Sequence, residues 1–177
     1  MGDYQFADIN GDGEVTSLDR TVIGSMQPDF FGGFSNVVTY KSVSLSALFQ
    51  YSVGAEAYWD MLLFQGGNYL GQNVVAEYGL NTWSPTNTDA RFAKPTYQDP
   101  SGNSRSSDRQ MYDTSYLRLK SIQLTYQLPK QIIDNLHLSN GSVYISGTNL
   151  WTWTKWPGSD PESYGESGLP SITGQTR

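Results

Sequence analysis

The residues best suited to chemistry form a run of oxygen donors close to the start of the chain. From Asp8 to Asp19, side-chain or backbone oxygens are available at loop positions one, three, five, seven, nine and twelve, and a glycine stands at position six. A hard cation takes about six to eight oxygen ligands, which one short segment can supply only by wrapping around the ion. The spacing therefore predicts an EF-hand-like calcium loop with Ca²⁺ as the cofactor. Its expected metal ligands are Asp8, Asn10, Asp12, Glu14, Thr16 and Asp19.

The donors differ in what each would offer the ion. Glu14 would contribute its backbone carbonyl and Thr16 a hydroxyl or a bridging water, while Gly13 allows the sharp bend. The closing residue, Asp19, is an aspartate where a glutamate is usual, so we expect weak binding, in the range of about 10⁻⁴ to 10⁻³ M. The alternative is an acidic turn that binds no metal.

No combination of side chains predicts catalysis, so the expected set of catalytic residues is empty. Asp160 and Glu162 could in principle flank a glycosidic bond, but they lie beside Pro161 in a tail rich in turn residues. The single histidine, His137, has no evident nucleophile beside it in the sequence. We expect a protein that is not an enzyme.

Composition restricts the partners. The chain of 177 residues carries 17 acidic and 11 basic side chains, a formal charge of -6, which disfavours a nucleic-acid partner because phosphates need a basic surface. There is no cysteine for a disulfide or a thiolate metal site. No apolar run approaches the roughly 18 residues of a membrane helix, whereas strands of a membrane β-barrel need only about 10 alternating residues each.

Alternating apolar and polar residues predict an all-β fold with four strands. In the second of these strands, valine, leucine, alanine, phenylalanine and tyrosine alternate with mostly hydroxylated residues. A short helical turn is predicted over 130–136, behind Pro129, and another short helix over 56–64. The tail is predicted to end without another strand. The four expected strands cover residues 31–40, 42–51, 116–128 and 142–151.

The predicted connections alternate in length, with short ones at one end of the sheet and long ones at the other. This asymmetry and the alternation are typical of up-and-down transmembrane β-barrels, although a soluble sandwich also alternates. The resulting division is a loop with the calcium motif (1–29), a hairpin (30–52), a long loop (53–114), two strands joined by a turn (115–151) and a final loop (152–177).

Several motifs in order resemble the SusC/RagA-like TonB-dependent transporters of Bacteroidota. They extend over nearly the whole chain. The matching pieces are 8–23, Pro28-Asp29-Phe30, Arg109, Ser115-Tyr116-Leu117-Arg118-Leu119-Lys120, Leu128-Pro129-Lys130, 143–150 and Asp160-Pro161-Glu162.

The resemblance implies the C-terminal segment of a large outer-membrane barrel that imports glycans or peptides with energy from TonB and a SusD-like surface lipoprotein as a lid. The plug, the TonB box, most strands and the final strand would lie outside this chain. Residues 1–29, 53–114 and 152–177 would then be extracellular, and the short turns periplasmic. Outer-membrane lipid would be a further partner.

Aromatic residues could serve this function in two ways. Strand-end aromatics are expected to form an interfacial girdle, as an alternative to ordinary sheet packing. Loop aromatics could instead stack on a substrate or simply anchor the loops, and the substrate-binding candidates are Trp83, Tyr97 and Trp156. The alternative function is a soluble calcium-stabilised β module that binds carbohydrate or protein. The girdle candidates are Phe30, Phe31, Phe34, Tyr116, Trp151 and Trp153.

Overall fold

A computed structural model describes residues 1–59, 73–74 and 76–163, together with the backbone of 171–175. The described residues contain eight strands, two short α-helices (Ala76–Leu80 and Lys130–Asn135) and 3-10 turns at Ser17–Asp19 and Asp108–Gln110. Within these ranges, neither α-helix has the length and apolar character needed to cross a lipid bilayer. The strands are β1 Arg20–Ser25, β2 Phe30–Tyr40, β3 Val43–Val53, β4 Glu56–Tyr58, β5 Met111–Asp113, β6 Tyr116–Gln127, β7 Ser142–Thr154 and β8 Ser171–Gln175.

The chain divides into two compact units. One, which we call the sheet unit, comprises Pro28–Ala55 and Thr114–Trp156. The other, which we call the loop unit, comprises Met1–Gln27, Glu56–Asp113 and Pro157–Arg177. Each unit is described by itself below.

The sheet unit is built on the four-stranded antiparallel sheet that the sequence predicted. Its strand order is β2-β3-β6-β7, so neighbouring strands follow one another along the chain except for the long connection between β3 and β6. A two-residue turn, Lys41-Ser42, joins β2 to β3, with Lys41 in the left-handed region at φ 52°. The predicted helical turn behind Pro129 is also present, as Lys130–Asn135, between β6 and β7.

An irregularity at Lys120 keeps the apolar residues of β6 on one face. Leu119 and Ile122 are three residues apart, a spacing that would place them on opposite faces of a regular strand. The pairing with β3 skips Lys120, since Leu48 lies opposite Ser121 and Phe49 opposite Leu119. The extra residue restores the alternation, as a β-bulge does.

The loop unit is held by a core in which polar groups predominate. Phe92 is buried, and the guanidinium of Arg109 lies 4.1 Å from the ring centre of Tyr4. The Tyr4 hydroxyl donates to the Arg91 carbonyl at 3.0 Å and accepts from the Ala93 amide at 2.6 Å. Two short antiparallel pairings complete this unit, β1 with β8 and β4 with β5.

Two predictions about the long loops were wrong. The segment predicted as a helix over 56–64 begins as strand β4, which pairs with β5; the remainder from residue 60 lies outside the described residues. The tail was expected to have no strand, yet β8 pairs with β1. Both errors have one cause, because each short strand exists only through a partner distant in sequence, which local periodicity does not reveal.

Candidate functional site

The main candidate for a functional surface is one face of the four-stranded sheet, which we call the apolar face. Residues paired directly across neighbouring strands point to the same side of a sheet. One such row joins Val38, Leu45, Leu124 and Ile145. The apolar face consists of Phe30, Phe34, Val38 and Tyr40 on β2, Val43, Leu45, Ala47, Phe49 and Tyr51 on β3, Leu117, Leu119, Ile122, Leu124 and Tyr126 on β6, and Val143, Ile145, Trp151 and Trp153 on β7.

The apolar face is exposed. Leu45 and Leu124, on the two inner strands of the sheet, are 40% and 45% accessible, although both are large aliphatic side chains. Asn36, paired with Ala47, lies on the same side and adds a polar side chain to the middle of this surface. Water-soluble monomers rarely expose contiguous apolar patches larger than a few hundred Å². The face is therefore suited to an apolar environment.

Aromatic side chains lie towards both ends of this face. Phe34 and Phe49 stack at a centroid distance of 4.9 Å, and their row continues through Leu119 to Trp151. At the end of the short turn, Tyr40 and Tyr126 lie in one row. The 11 residues of β2 extend for about 34 Å, which at a tilt of about 40° corresponds to a height of about 26 Å. A transmembrane barrel has an apolar band about 25 Å tall.

The six residues predicted to form the aromatic girdle do not all lie on the same face of the sheet. Phe30, Phe34, Trp151 and Trp153 lie on the apolar face and are exposed, whereas Phe31 lies on the opposite face. The girdle prediction is wrong for Tyr116, which is buried and accepts a hydrogen bond from the Gln50 amide at 3.1 Å. Strict alternation from Ile122 and Leu124 would place Tyr116 on their face, and the irregularity at Lys120 moves it to the opposite one.

The opposite face of the sheet is mostly hydroxylated and amidic. Ser46 is paired with Gln123, and the hydroxyls of Thr39 and Ser44 lie 2.9 Å apart. Arg118 is buried on this side, with its guanidinium 5.3 Å from the Tyr116 ring centre. The sheet thus has one apolar and one largely polar side, as a wall between lipid and water requires.

The second candidate site is the Asp8–Asp19 segment, which is wrapped around its own carboxylates. The Asp8 carboxylate accepts from the amides of Gly11 at 2.7 Å and Gly13 at 2.8 Å. At the other end, Asp19 accepts from the amides of Ile9 at 2.9 Å and Thr16 at 2.7 Å. These bonds close the segment into a loop with its first and twelfth positions both turned inwards.

Asp19 is fully buried yet stabilised as an anion. The backbone amide of Thr16 contributes most to lowering the pKa of this carboxyl below its ordinary value of 3.8, and the amides of Asn10 and Ile9 add to it. Burial acts in the opposite direction and is outweighed. Asp19 therefore carries its negative charge at neutral pH.

The loop fits a calcium ion in its donor chemistry. Each carboxylate oxygen has two lone pairs, so an Asp8 or Asp19 oxygen that accepts one amide can still ligate a cation. Gly13, at the sixth position, has φ 87°, the left-handed geometry that the sharp bend needs. In the described parts of the chain, however, no group of three or more His, Cys, Asp or Glu side chains is already gathered as a metal site. The Asp12 carboxylate likewise accepts one bond on each oxygen, from the Glu14 amide and the Asn10 side chain, and keeps lone pairs for a cation.

The three aromatic candidates for substrate contact differ in exposure. Trp83 belongs to the loop unit and packs closely on Gly2, where an added Cβ would lie 2.7 Å from the indole. Tyr97, in the same unit, is 69% exposed. Trp156 belongs to the sheet unit and is buried, so its ring is not offered to a ligand.

Sequence reasoning missed the polar core of the loop unit. Gln110 is fully buried, and its side-chain oxygen accepts from both the amide and the hydroxyl of Ser107 at 2.9 Å. The side chain of Asn103 accepts from the Tyr4 amide and donates to Asp3, each at 2.9 Å. The spacing Ser-x-x-Gln at 107–110 is a recognisable capping box, so part of this could have been found.

Comparison with known proteins gives a consistent result. No family model matches the chain. The chain is 39% identical over 162 residues to TonB-dependent receptor P3 of Formosa agariphila, which covers 92% of this chain and 16% of that receptor. It is 25% identical over 158 residues to TonB-dependent receptor SusC of Bacteroides thetaiotaomicron, with 89% of this chain and 15% of SusC covered.

Solved structures agree with the sequence relatives. The RagAB peptide importer in its open-open state matches 80% of this chain and 15% of the importer chain, with a TM-score of 0.63 and 32% identity. The closed-closed state of the same importer matches with a TM-score of 0.61. The chain thus spans about one sixth of the length of the relatives that it matches. These sequence and structural likenesses identify the chain as a segment of the SusC/RagA-like family of TonB-dependent receptors.

Proposed function

We propose that this chain forms part of the wall and the outer loops of a SusC-like importer in the bacterial outer membrane. The apolar face would contact lipid and the opposite face would line the interior of a β-barrel. The observation that carries the proposal is the exposed apolar face, with Leu45 and Leu124 uncovered on its two inner strands and aromatic residues towards its ends. The sheet also has sequential antiparallel neighbours, as barrel strands do.

The orientation follows from the connections. The turn Lys41-Ser42 and the connection at 128–141 would lie in the periplasm, because barrels have short turns on that side. The loop unit, formed by the longer segments, would face outside. Residues 1–29, 53–114 and 152–177 would thus be the extracellular parts.

The partners of the whole receptor are part of this proposal. A solved relative is described as a peptide importer, and others are named TonB-dependent receptors. We infer transport of a glycan or a peptide, energy supplied through TonB, and a SusD-like lipoprotein as the lid. The relatives are named as receptors and importers, which supports a role without catalysis.

The proposal is tested by placing a charge on each side of the sheet at the same depth. Leu45 and Ser46 are neighbours on the central strand β3 and point to opposite faces. Leu45→Arg should weaken partitioning of the full chain into lipid vesicles by about 2–4 kcal/mol, the cost of arginine at the lipid midplane of a barrel. Ser46→Arg is the matched control and should change partitioning little, because lumen-facing positions accept charge.

The readout is fluorescence quenching by lipids brominated in their acyl chains, since Trp151 and Trp153 lie on the apolar face. Strong quenching in the original chain and in Ser46→Arg, lost in Leu45→Arg, supports the proposal. A chain that stays monomeric in water without lipid or detergent would contradict it and favour the soluble calcium-stabilised module that binds carbohydrate or protein.

For the Asp8–Asp19 loop we propose weak calcium binding, with Asp8, Asn10, Asp12, Glu14, Thr16 and Asp19 as ligands. The support is the inward-turned first and twelfth residues and the left-handed Gly13. Extracellular calcium modules bind at about 10⁻⁴ to 10⁻³ M, which suits a loop on the outer surface.

Calorimetric titration of the chain with calcium chloride tests this site. Asp12→Asn removes one ligand charge and should weaken binding by about tenfold, since charge count sets affinity in such loops. Asp89→Asn, a change of the same charge at an exposed position elsewhere in the loop unit, should have no effect. Absence of saturable binding up to about 10 mM calcium would exclude the site.

Among the aromatic candidates, the exposed Tyr97 is the one that we retain for substrate contact. Aromatic rings that stack on a ligand must present a face, which the buried Trp156 does not and the packed Trp83 does only in part. In the whole receptor, Tyr97→Ala should reduce substrate affinity, whereas Trp156→Phe should not.

A further inference from the structure

The loop unit contains a small basic pocket in an otherwise acidic chain. A cavity of about 300 Å³ is lined by Val15, Thr16, Ser17, Arg20, Arg105 and Ser106. Two of these six residues are arginines and three carry hydroxyls, while none is acidic. In a protein with a formal charge of -6, two arginines that share one cavity mark a local site for an anion.

Neither pocket arginine is neutralised by a carboxylate of the described residues. Among the described residues, the structure pairs no carboxylate with Arg20 or Arg105, whereas Arg91 forms an ion pair with Glu77 at 3.0 Å. Both pocket arginines are exposed at its rim. Each guanidinium group has about five N–H donors and no acceptor, so the two groups together provide about ten donors. An anion is therefore the partner that this surface can satisfy.

The guanidinium of Arg105 is held in place before any ligand arrives. It lies 5.5 Å from the ring centre of Phe6, and its Nε passes within 2.7 Å of where a Cβ on Gly102 would stand. Its backbone is fixed on both sides, because its amide donates to the Gly102 carbonyl and its carbonyl accepts from the Gln110 side chain. A positioned donor loses less entropy on binding than a free one.

The pocket is also lined by hydroxyl groups that can donate hydrogen bonds to an anion. Ser106 Oγ accepts from the Tyr58 hydroxyl at 3.1 Å, so its own proton remains for another acceptor. Ser17 lies in the turn that Thr16 caps by accepting from the Leu18 amide at 3.2 Å. The Asp19 carboxylate fixes the same turn through the Thr16 amide.

We infer that this pocket, lined by Thr16, Ser17, Arg20, Arg105 and Ser106, binds a tetrahedral oxyanion such as a sulfate or phosphate group. Two guanidinium groups and three hydroxyl-bearing residues line one cavity, which is more donors than the two oxygens of a carboxylate can use and suits the larger set of oxygens of a tetrahedral anion. Such a group could be a free ion or part of a larger molecule. The inference goes beyond the proposed import function and does not depend on membrane insertion.

The test uses the full chain in detergent micelles and follows its backbone amide resonances during titration with sodium sulfate, sodium phosphate or sodium acetate. Ionic strength is held constant with sodium chloride, because screening alone would mimic weak binding. We expect saturable shifts at 15–20 and 105–106 with sulfate or phosphate, and weaker ones with acetate. A preference between sulfate and phosphate would identify which ester the pocket accepts.

Charge-removing variants locate the binding. Arg20→Gln and Arg105→Gln should each weaken it by about tenfold, as the loss of a hydrogen bond from a charged group implies. Lys94→Gln removes the same charge from an exposed position of the loop unit outside the pocket and should change affinity less than about twofold. Arg105→Lys keeps the charge but not the fork and should recover only part of the affinity.

Three results would overturn the inference: no saturable shift with either tetrahedral anion, equally tight binding of acetate, or equal weakening by Lys94→Gln. Loss of the fold in Arg105→Gln would be visible as a collapse of the whole spectrum. In that case Arg20→Gln decides the question, because within the described residues Arg20 does not stack on an aromatic ring as Arg105 does on Phe6.

Discussion

The two units of this chain differ in which side chains they bury and which they expose. The loop unit buries polar side chains and satisfies them internally, as the fully buried Asp19 and Gln110 show. The sheet unit instead leaves large aliphatic side chains such as Val38 and Ile145 uncovered. The loop unit is therefore held by internal polar contacts, whereas the sheet unit presents the kind of surface that the proposed contact with lipid would cover.

The contrast also explains where specific contacts accumulate. Hydrogen bonds between distant side chains are needed to order a unit made of long irregular segments, since each ordered residue costs about 1–2 kcal/mol of conformational entropy. In the sheet, the strand ladders supply this order, and side chains are free to present a surface.

The largest effect is expected in the centre of the loop unit. Phe92 is 1% exposed and lies beside Arg109, at 5.8 Å from the guanidinium to the ring centre. Phe92→Ala should reduce the stability of this unit by about 3–5 kcal/mol, because it removes a large buried side chain and leaves a cavity. Amide hydrogen exchange measured by mass spectrometry should show loss of protection in the loop unit alone.

Leu80→Ala is the control for that variant. Leu80 belongs to the same unit but is 86% exposed, so its removal should change stability by less than about 0.5 kcal/mol. If Phe92→Ala also removed protection from β3 and β6, the two units would have to be treated as one cooperative structure.

A smaller effect is expected where the polar network ties the start of the chain to a distant loop. Asn103 is buried and bonds to both Asp3 and the Tyr4 amide. Asn103→Ala should destabilise the loop unit by about 1–3 kcal/mol, the cost of leaving buried groups without partners. Thermal unfolding followed by tyrosine absorbance reports this, with Asn135→Ala, at the exposed end of a helix in the sheet unit, as the control.

The third prediction concerns the stability of the loop unit at acidic pH. The folded-state pKa of Asp19 lies below its ordinary value of 3.8, chiefly because the Thr16 amide bonds to its carboxylate. Its stabilising contribution is therefore complete above pH 3.8 and is lost as the pH falls through the lower folded-state pKa. The Thr16 amide resonance should move in that window and stay constant above it.

Asp19→Asn should abolish this movement, because the amide side chain does not titrate. Strand β3, which contains no titratable side chain between Val43 and Phe49, serves as the internal control and should keep its resonances. Movement of the Thr16 resonance between pH 5 and 7 in the original chain would contradict the assignment.

The smallest effect is expected on the polar face of the sheet. Thr39 and Ser44 are a cross-strand pair with hydroxyls 2.9 Å apart, next to the Lys41-Ser42 turn. Thr39→Ala should cost about 0.2–1 kcal/mol, the usual value of such a pair. Hydrogen exchange at the β2–β3 turn measures it, and an effect above that of Asn103→Ala would reverse the proposed contrast between the units.

Sequence reasoning was most successful where structure repeats locally. The alternation over 43–51 and 116–127 located two strands to within a few residues, and Pro129 located the start of the helical turn. The run Asp8–Asp19 was recognised as a wrapped loop, and its hydrogen bonds to Gly13 and Thr16 have that form. Whether it binds calcium stays a prediction.

It was least successful where a contact joins distant segments. β4 and β5 are separated by more than fifty residues, and the three residues of β4 carry no periodic pattern strong enough to predict them. Likewise no local pattern predicts that the fold buries Arg109 against Tyr4. The basic pocket depends on Arg20 and Arg105, which no spacing in the sequence connects.

By itself, the sequence determined the alternation of apolar and polar residues, the turn residues and the order of the oxygen donors, because these depend on periods of two and on backbone preferences of single residues. Only the tertiary structure decided that Tyr116 is buried and that Trp83 packs on Gly2. It also decided that two arginines share one cavity. Those outcomes depend on which distant segments pair, a choice governed by the burial and hydrogen bonding of the whole unit rather than by any local stretch.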